Sequence, residues 1–221
     1  IFLNRFTPET IETMSLLITD SGLGGLSMLA QLVLELESKM IGEAGSEMKM
    51  VYLNAVPRDQ YGYNDMASIE ERVRVFNGLL ENAEDRFKPE KIFVACGSLS
   101  ALLYVVPYVE KHRQKVQGIG WIGRQLLTEA IQEKPDAPVF VFATPITVSE
   151  GLYSATCLTG IKRPELYIEQ PCPGLANKIS SKLEERVIFA EIMEYCQKAL
   201  ESAESYLKFN SNQDLIVFLG C

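Results

Sequence analysis

The sequence has little of what metal and redox chemistry draw on. It holds one histidine, His112, and its five cysteines, at 96, 157, 172, 196 and 221, include no Cys-x-x-Cys pair. That argues against a zinc site, and an odd, scattered set of thiols argues against a disulfide scaffold. A reducing, cytoplasmic setting fits. Basic residues are outnumbered, 21 Lys and Arg against 29 Asp and Glu for a formal charge of -8, so there is no basic footprint to neutralise phosphates and nucleic acid is not an expected partner. No apolar run reaches the ~18 residues that cross a bilayer, so no membrane span is expected. Ile1–Met14 lacks the basic start and apolar stretch of a leader, and both ends of the polypeptide are expected to lie beyond Ile1 and Cys221.

What is present is an ordinary globular balance, 47% hydrophobic and 23% charged, in 221 residues that suit one large domain or two small ones. Short apolar, β-branched runs alternate with longer helical patterns, which predicts an α/β fold with largely parallel sheets. Strands are expected near 15–19, 49–54, 91–95, 118–122, 139–143, 165–169 and 214–219. Helices are expected over 26–39, 66–87, 99–111, 124–133 and from about 182 to 207. Asn64-Asp65 are candidate caps for the helix from Met66. That helix carries an apolar stripe, Val73, Phe76, Leu79 and Leu80, which reads as core-facing. Its head, Glu70-Glu71-Arg72, could equally line a homodimer contact.

The strand ends repeat a plan. Asp20 and Cys96 end strands in the first half, Thr144 and Cys221 end strands in the second, and the two spacings are nearly equal. The expected organisation is an extension over 1–14, a first α/β domain over 15–117 and a second over 118–221, with the last segment a candidate to cross back. In parallel sheets the ligand crevice lies at the carboxyl ends of the strands, where all four residues sit.

Two motifs carry the chemistry. Asp20-Ser21-Gly22-Leu23-Gly24-Gly25 runs from a strand through glycines into a helix, a turn that brings backbone close to a ligand and leaves helix amides for an anion such as a carboxylate. Ser27 stands where the dinucleotide fingerprint needs glycine, and no Walker lysine follows, so a nucleotide cofactor is disfavoured. The second motif is a thiol where a buried strand gives way to a helix, Val94-Ala95-Cys96-Gly97-Ser98, and the same context recurs at Leu219-Gly220-Cys221. A helix start favours a thiolate. One thiol with a histidine base would suit a hydrolase, but His112 falls at the far end of the helix after Cys96. Two thiols suit stereochemical inversion, in which one removes an α-proton and the other returns a proton to the opposite face. That chemistry needs no pyridoxal lysine and no other cofactor.

These residues resemble the aspartate/glutamate racemase family, with matches in family order from Leu17 to Cys221. Asp20 to Gly25 is similar to its aspartate–serine–glycine loop, Tyr61-Gly62 to the end of its proline–tyrosine–glycine loop, and Val94 to Ser98 to the segment with its first catalytic cysteine. Thr144-Pro145-Ile146-Thr147-Val148 is similar to its threonine-rich substrate loop, Cys172-Pro173 to a structural landmark, and Leu219-Gly220-Cys221 to the start of its second cysteine segment. The resemblance implies two similar parallel-sheet, three-layer halves related by a pseudo-twofold axis, with the active site in the cleft between them. It implies Cys96 and Cys221 as the acid–base pair, Asp20 assisting Cys96, and Asp20, Ser21, Tyr61, Gly62, Gly97, Ser98 and Thr147 around a small acidic amino acid. The activity it implies is cytoplasmic interconversion of L- and D-glutamate, supplying D-glutamate for peptidoglycan. Three departures stand out: Gln60 replaces the usual proline, Gly97-Ser98 replaces asparagine–threonine, and Ile1–Met14 precedes the usual start. Gly97 motivates two alternatives, a racemase for another acidic amino acid such as aspartate and a non-catalytic binding protein on the same fold.

Overall fold

The structure is a computed structural model that describes residues 15–39, 48–58, 61–181, 184–203 and 214–220. The expected extension over 1–14 lies outside the described residues, as do Gln60 and Cys221. The chain divides into two compact units, Ile1–Gly118 and Ile119–Cys221.

The first unit is built on a four-stranded sheet of order β2-β1-β3-β4, with β1 Ser15–Asp20, β2 Lys49–Asn54, β3 Lys91–Val94 and β4 Val116–Gly118, all parallel. Leu16, Leu17 and Ile18 of β1 are each at most 1% exposed. An unbroken apolar run of this kind is what a central parallel strand needs, because both faces are covered. Helix α1 (Gly24–Lys39) follows β1, and α2 (Ile69–Phe87) precedes β3. Phe76 and Leu80 of the apolar stripe are buried, with Val73 and Leu79 half-buried beside them.

The cap of α2 is Ser68 and not the expected Asn64-Asp65: the Glu71 amide donates to Ser68 Oγ at 3.2 Å and Glu71 Oε2 reaches back to the Ala67 amide. Asn64 and Asp65 belong instead to a 3-10 turn over Tyr63–Asp65, where the Asp65 carboxylate accepts the Gly62 amide. The single helix expected over 99–111 is two, α3 (Gly97–Leu102) and α4 (Pro107–Lys111). Pro107 explains the break, since it cannot donate to a preceding turn and holds Val106 in an extended conformation at the start of α4.

The second unit carries a three-stranded parallel sheet of order β6-β5-β7, with β5 Val139–Ala143, β6 Tyr167–Pro171 and β7 Ile216–Leu219. The last described strand, β7, pairs with β5 and belongs to this sheet. Residues 119–122, expected as a strand, open α5 (Ile119–Glu133). Gly120 and Gly123 decide this: a Cβ on Gly120 would lie 2.7 Å from Leu152 and one on Gly123 would lie 2.7 Å from Tyr153. Close helix packing through two glycines on one face overrides the strand preference of the β-branched and aromatic residues around them. Trp121 is 46% exposed on that helix. Strand β6 starts two residues later than expected because Pro164–Leu166 form a 3-10 turn. Helix α6 (Pro145–Ser149) follows β5, α7 (Leu175–Ser180) follows β6, and α8 (Glu185–Ala203) packs on β6 through Ala199 and Ala203, whose small side chains join Phe140 and Leu166 in a buried cluster.

The two sheets end alike. In the first, the Ala55 amide donates to Asp20 O and the Ala95 amide to Thr19 O; in the second, the Cys172 amide donates to Ala143 O and the Gly220 amide to Phe142 O. These bonds align Asp20 with Ala143, Ser21 with Thr144, and Ala95 with Gly220. The residue after each member of the last pair is a cysteine in the sequence, Cys96 and Cys221.

Candidate active site

Asp20 closes β1 and is 7% exposed. Its Oδ2 accepts the Gly25 amide at 2.5 Å, so the carboxylate is turned into the glycine loop and tied to the first turn of α1. Gly25 has no substitute here: a Cβ would lie 2.8 Å from Asp20 Cβ and 3.1 Å from Ala95 Cβ. The loop is held from β2 as well, where the Tyr52 hydroxyl donates to Gly22 O at 2.6 Å.

Cys96 follows β3, is 7% exposed and stands at the start of α3, where the Leu99 amide points at its sulfur from 3.5 Å. Ser21 Oγ lies 3.0 Å from Cys96 Sγ. The structure thus joins the two sequence motifs through Ser21, while the Asp20 carboxylate is engaged by Gly25. Gly97 and Ser98 are both buried in the first turn of α3. Tyr61 is half-buried, with its hydroxyl donating to Glu71 Oε1 at 3.4 Å and the Arg58 guanidinium 4.2 Å over its ring. Gly62 donates its amide to Asp65 Oδ2.

Two phenols that the sequence reading passed over share the electrostatics of Cys96. Tyr52 is pushed up to about 12 by burial and then by the charges of Asp20 and Cys96. Tyr63, 1% exposed, is also raised, by burial and then by the charge of Cys96. Tyr52 sits in the middle of the half-buried strand β2 and Tyr63 one residue past the Tyr61-Gly62 match, so only the second carried any local signal.

In the second unit Thr147 is 1% exposed and its hydroxyl pairs with that of Thr144 at 2.9 Å, Thr144 being the cap of α6. Gly220 packs against Tyr153 and Ala143, where a Cβ would lie 2.8 and 3.1 Å away. His112 is exposed at the end of α4, its ring 4.5 Å from that of Tyr108. Cys157 is exposed, Cys172 buried and Cys196 half-buried. Among the described residues no cluster of three metal-ligating side chains occurs and no helix is long and apolar enough to cross a membrane.

No family model matches the chain. It is 26% identical over 169 residues to a glutamate racemase of Leptospira interrogans, an alignment covering 76% of this chain and 58% of that protein. The chain therefore spans less than two thirds of that relative. Among solved structures it superposes on a glutamate racemase from Aquifex pyrophilus with a TM-score of 0.63 at 24% identity, covering 94% of this chain and 71% of the other. It superposes on one from Francisella tularensis, solved in complex with D-glutamate, with a TM-score of 0.59 at 17% identity, covering 94% and 76%. In sequence and in fold, the chain is similar to the glutamate racemases.

Proposed function

We propose that the protein racemises glutamate without a cofactor, using Cys96 and Cys221 as its two acid–base groups. The observation that supports this most is the contact of Ser21 Oγ with Cys96 Sγ at 3.0 Å, beside an Asp20 carboxylate locked by the Gly25 amide. In the forward direction a Cys96 thiolate takes the α-proton, leaving the carbon with the bonding electron pair. The Cys221 thiol then gives its proton to the opposite face. The enzyme ends with Cys96 protonated and Cys221 as thiolate, and the reverse reaction restores the starting form. Matched thiols make such a cycle symmetric in principle.

Around the substrate we place Asp20, Ser21, Tyr61, Gly62, Gly97, Ser98 and Thr147, with Asp20 also assisting Cys96. We place the activity in the cytoplasm, supplying D-glutamate for peptidoglycan, and assign a homodimer contact to the head of α2. The domain division we adopt is 15–117 and 118–221. Gly97, which offers no side chain in the first turn of α3, keeps aspartate turnover and binding without turnover as the competing readings.

The test is proton NMR of L- and D-glutamate in heavy water. The full chain should wash out the α-proton signal from both enantiomers with inversion, and Cys96→Ser or Cys221→Ser should nearly abolish inversion. A near-normal rate in either variant would remove the two-thiol mechanism. Preferential turnover of aspartate would move the assignment to the other substrate.

A further inference from the structure

We propose that the Tyr63 hydroxyl is a substrate-binding group of the Cys96 site, donating a hydrogen bond to a carboxylate of the bound acidic amino acid. This deepens the racemase reading and rests on it. The hydroxyl is fully buried and finds no hydrogen-bond partner among the described residues. A buried phenol ordinarily has one, because an unmade bond forfeits its hydration without return. Tyr52 shows the contrast: the same chemical group, under the charge of the same Cys96, is satisfied by Gly22 O.

The unpaired position is not a consequence of slack. The Tyr63 carbonyl accepts Arg72 Nε at 3.0 Å, a second Arg72 nitrogen holds Met66 O at 2.9 Å, and Asp65 fastens the Gly62 amide on the other side. The ring stands edge-on to the buried Phe76, with centroids 6.1 Å apart and planes at 82°. Helix α2 therefore holds Tyr63 where its hydroxyl stays unspent. Burial, and after it the charge of Cys96, raises that hydroxyl and keeps it protonated, and no atom of the described residues, the Cys96 sulfur included, is its hydrogen-bond partner. A buried, partnerless phenol on the residue directly after Gly62, in the loop proposed to meet the substrate, offers a donor, and the anionic end of an acidic amino acid is the acceptor that matches it.

Tyr63→Phe in the full chain separates the alternatives. Calorimetric titration with L- and D-glutamate should show affinity weakened roughly tenfold to a hundredfold. Thermal unfolding without ligand should occur at the wild-type temperature or higher, since the variant loses a hydroxyl with no partner among the described residues. In kinetics the loss should fall on KM more than on kcat. Unchanged affinity would overturn the proposal, and so would a marked loss of stability without ligand, which would reveal a partner within the protein. A shifted pH profile for alkylation of Cys96 with unchanged affinity would also overturn it, by assigning the hydroxyl to the thiol. A wild-type chain that binds and turns over neither enantiomer would instead refute the racemase reading, and this proposal with it.

Discussion

Gly25→Ala tests whether the glycine loop is set by packing or by chain flexibility. The added Cβ would lie 2.8 Å from Asp20 Cβ and 3.1 Å from Ala95 Cβ, against the ~3.5–4.0 Å of a comfortable carbon contact. Both neighbours are β-carbons fixed by backbone, Asp20 at the end of β1 and Ala95 just past β3 with its amide on Thr19 O, so no rotamer change relieves the overlap and the first turn of α1 must move. Overpacking of this kind costs about 1–3 kcal/mol. Moving that turn also strains the Gly25 amide bond to the Asp20 carboxylate, a charge-assisted contact worth about 1.5–3 kcal/mol. Alanine's better helix propensity returns at most about 1 kcal/mol. The net expectation is a loss of about 1–5 kcal/mol. Urea unfolding followed by circular dichroism would read it, with hydrogen exchange over 15–20 and 91–94 locating it in the first sheet. Gly22→Ala is the control, because a Cβ there meets nothing within 4 Å, and its stability should stay within about 0.5 kcal/mol of wild type. A Gly25→Ala protein with wild-type stability and exchange would refute the packing argument.

Ser21→Ala removes the hydroxyl 3.0 Å from Cys96 Sγ, and loss of a hydrogen bond to a thiolate should lower kcat/KM for glutamate racemisation by roughly tenfold or more; an unchanged rate constant in the NMR assay would dismiss a role for that contact. Glu169 on β6 has a carboxyl raised by burial, with Oε1 lacking a partner among the described residues. A raised acid favours the folded state while protonated, so its contribution is full below about pH 4 and is lost as pH rises through the folded value. Glu169→Gln should therefore be more stable than wild type at pH 7 and lose that advantage near pH 4. A variant less stable than wild type at neutral pH in thermal unfolding would contradict this.

How much could be read from the sequence depends on what fixed each element. Leu16–Ile18 and Val139–Val141 are apolar runs with few alternatives to a buried parallel strand, and the strands lie where the runs are. Residues 119–122 misled because their composition favours a strand while the deciding facts, Leu152 and Tyr153 seated on Gly120 and Gly123, come from far along the chain. Pro107 was a local signal strong enough to split the helix after Cys96, and the helical periodicity on either side concealed it. The cap of α2 was legible in principle, since Ser68-Ile69-Glu70-Glu71 places a hydroxyl three residues before a glutamate, the pattern of a capping box.

The repeat shows what spacing alone can and cannot deliver. Nearly equal intervals led from Asp20 to Thr144, yet the ladder hydrogen bonds align Asp20 with Ala143 and Ser21 with Thr144. The one-residue difference matters chemically. A carboxylate ends the first central strand and a methyl group the second, so the two units are not equivalent acid–base environments. What both units share at the next position is a hydroxyl, that of Ser21 on Cys96 and that of Thr144, which pairs with Thr147. If both cysteines exchange protons with one carbon, Asp20 has no aligned counterpart in the second unit, and its charge acts on the first thiol's side of the reaction alone. The pH dependence of kcat should then differ between the two directions, while kcat/KM stays equal for the two enantiomers at every pH because their equilibrium constant is one, and Asp20→Asn should reduce the difference in kcat. Identical profiles of kcat against pH for L- and D-glutamate in the wild-type protein would refute this asymmetry.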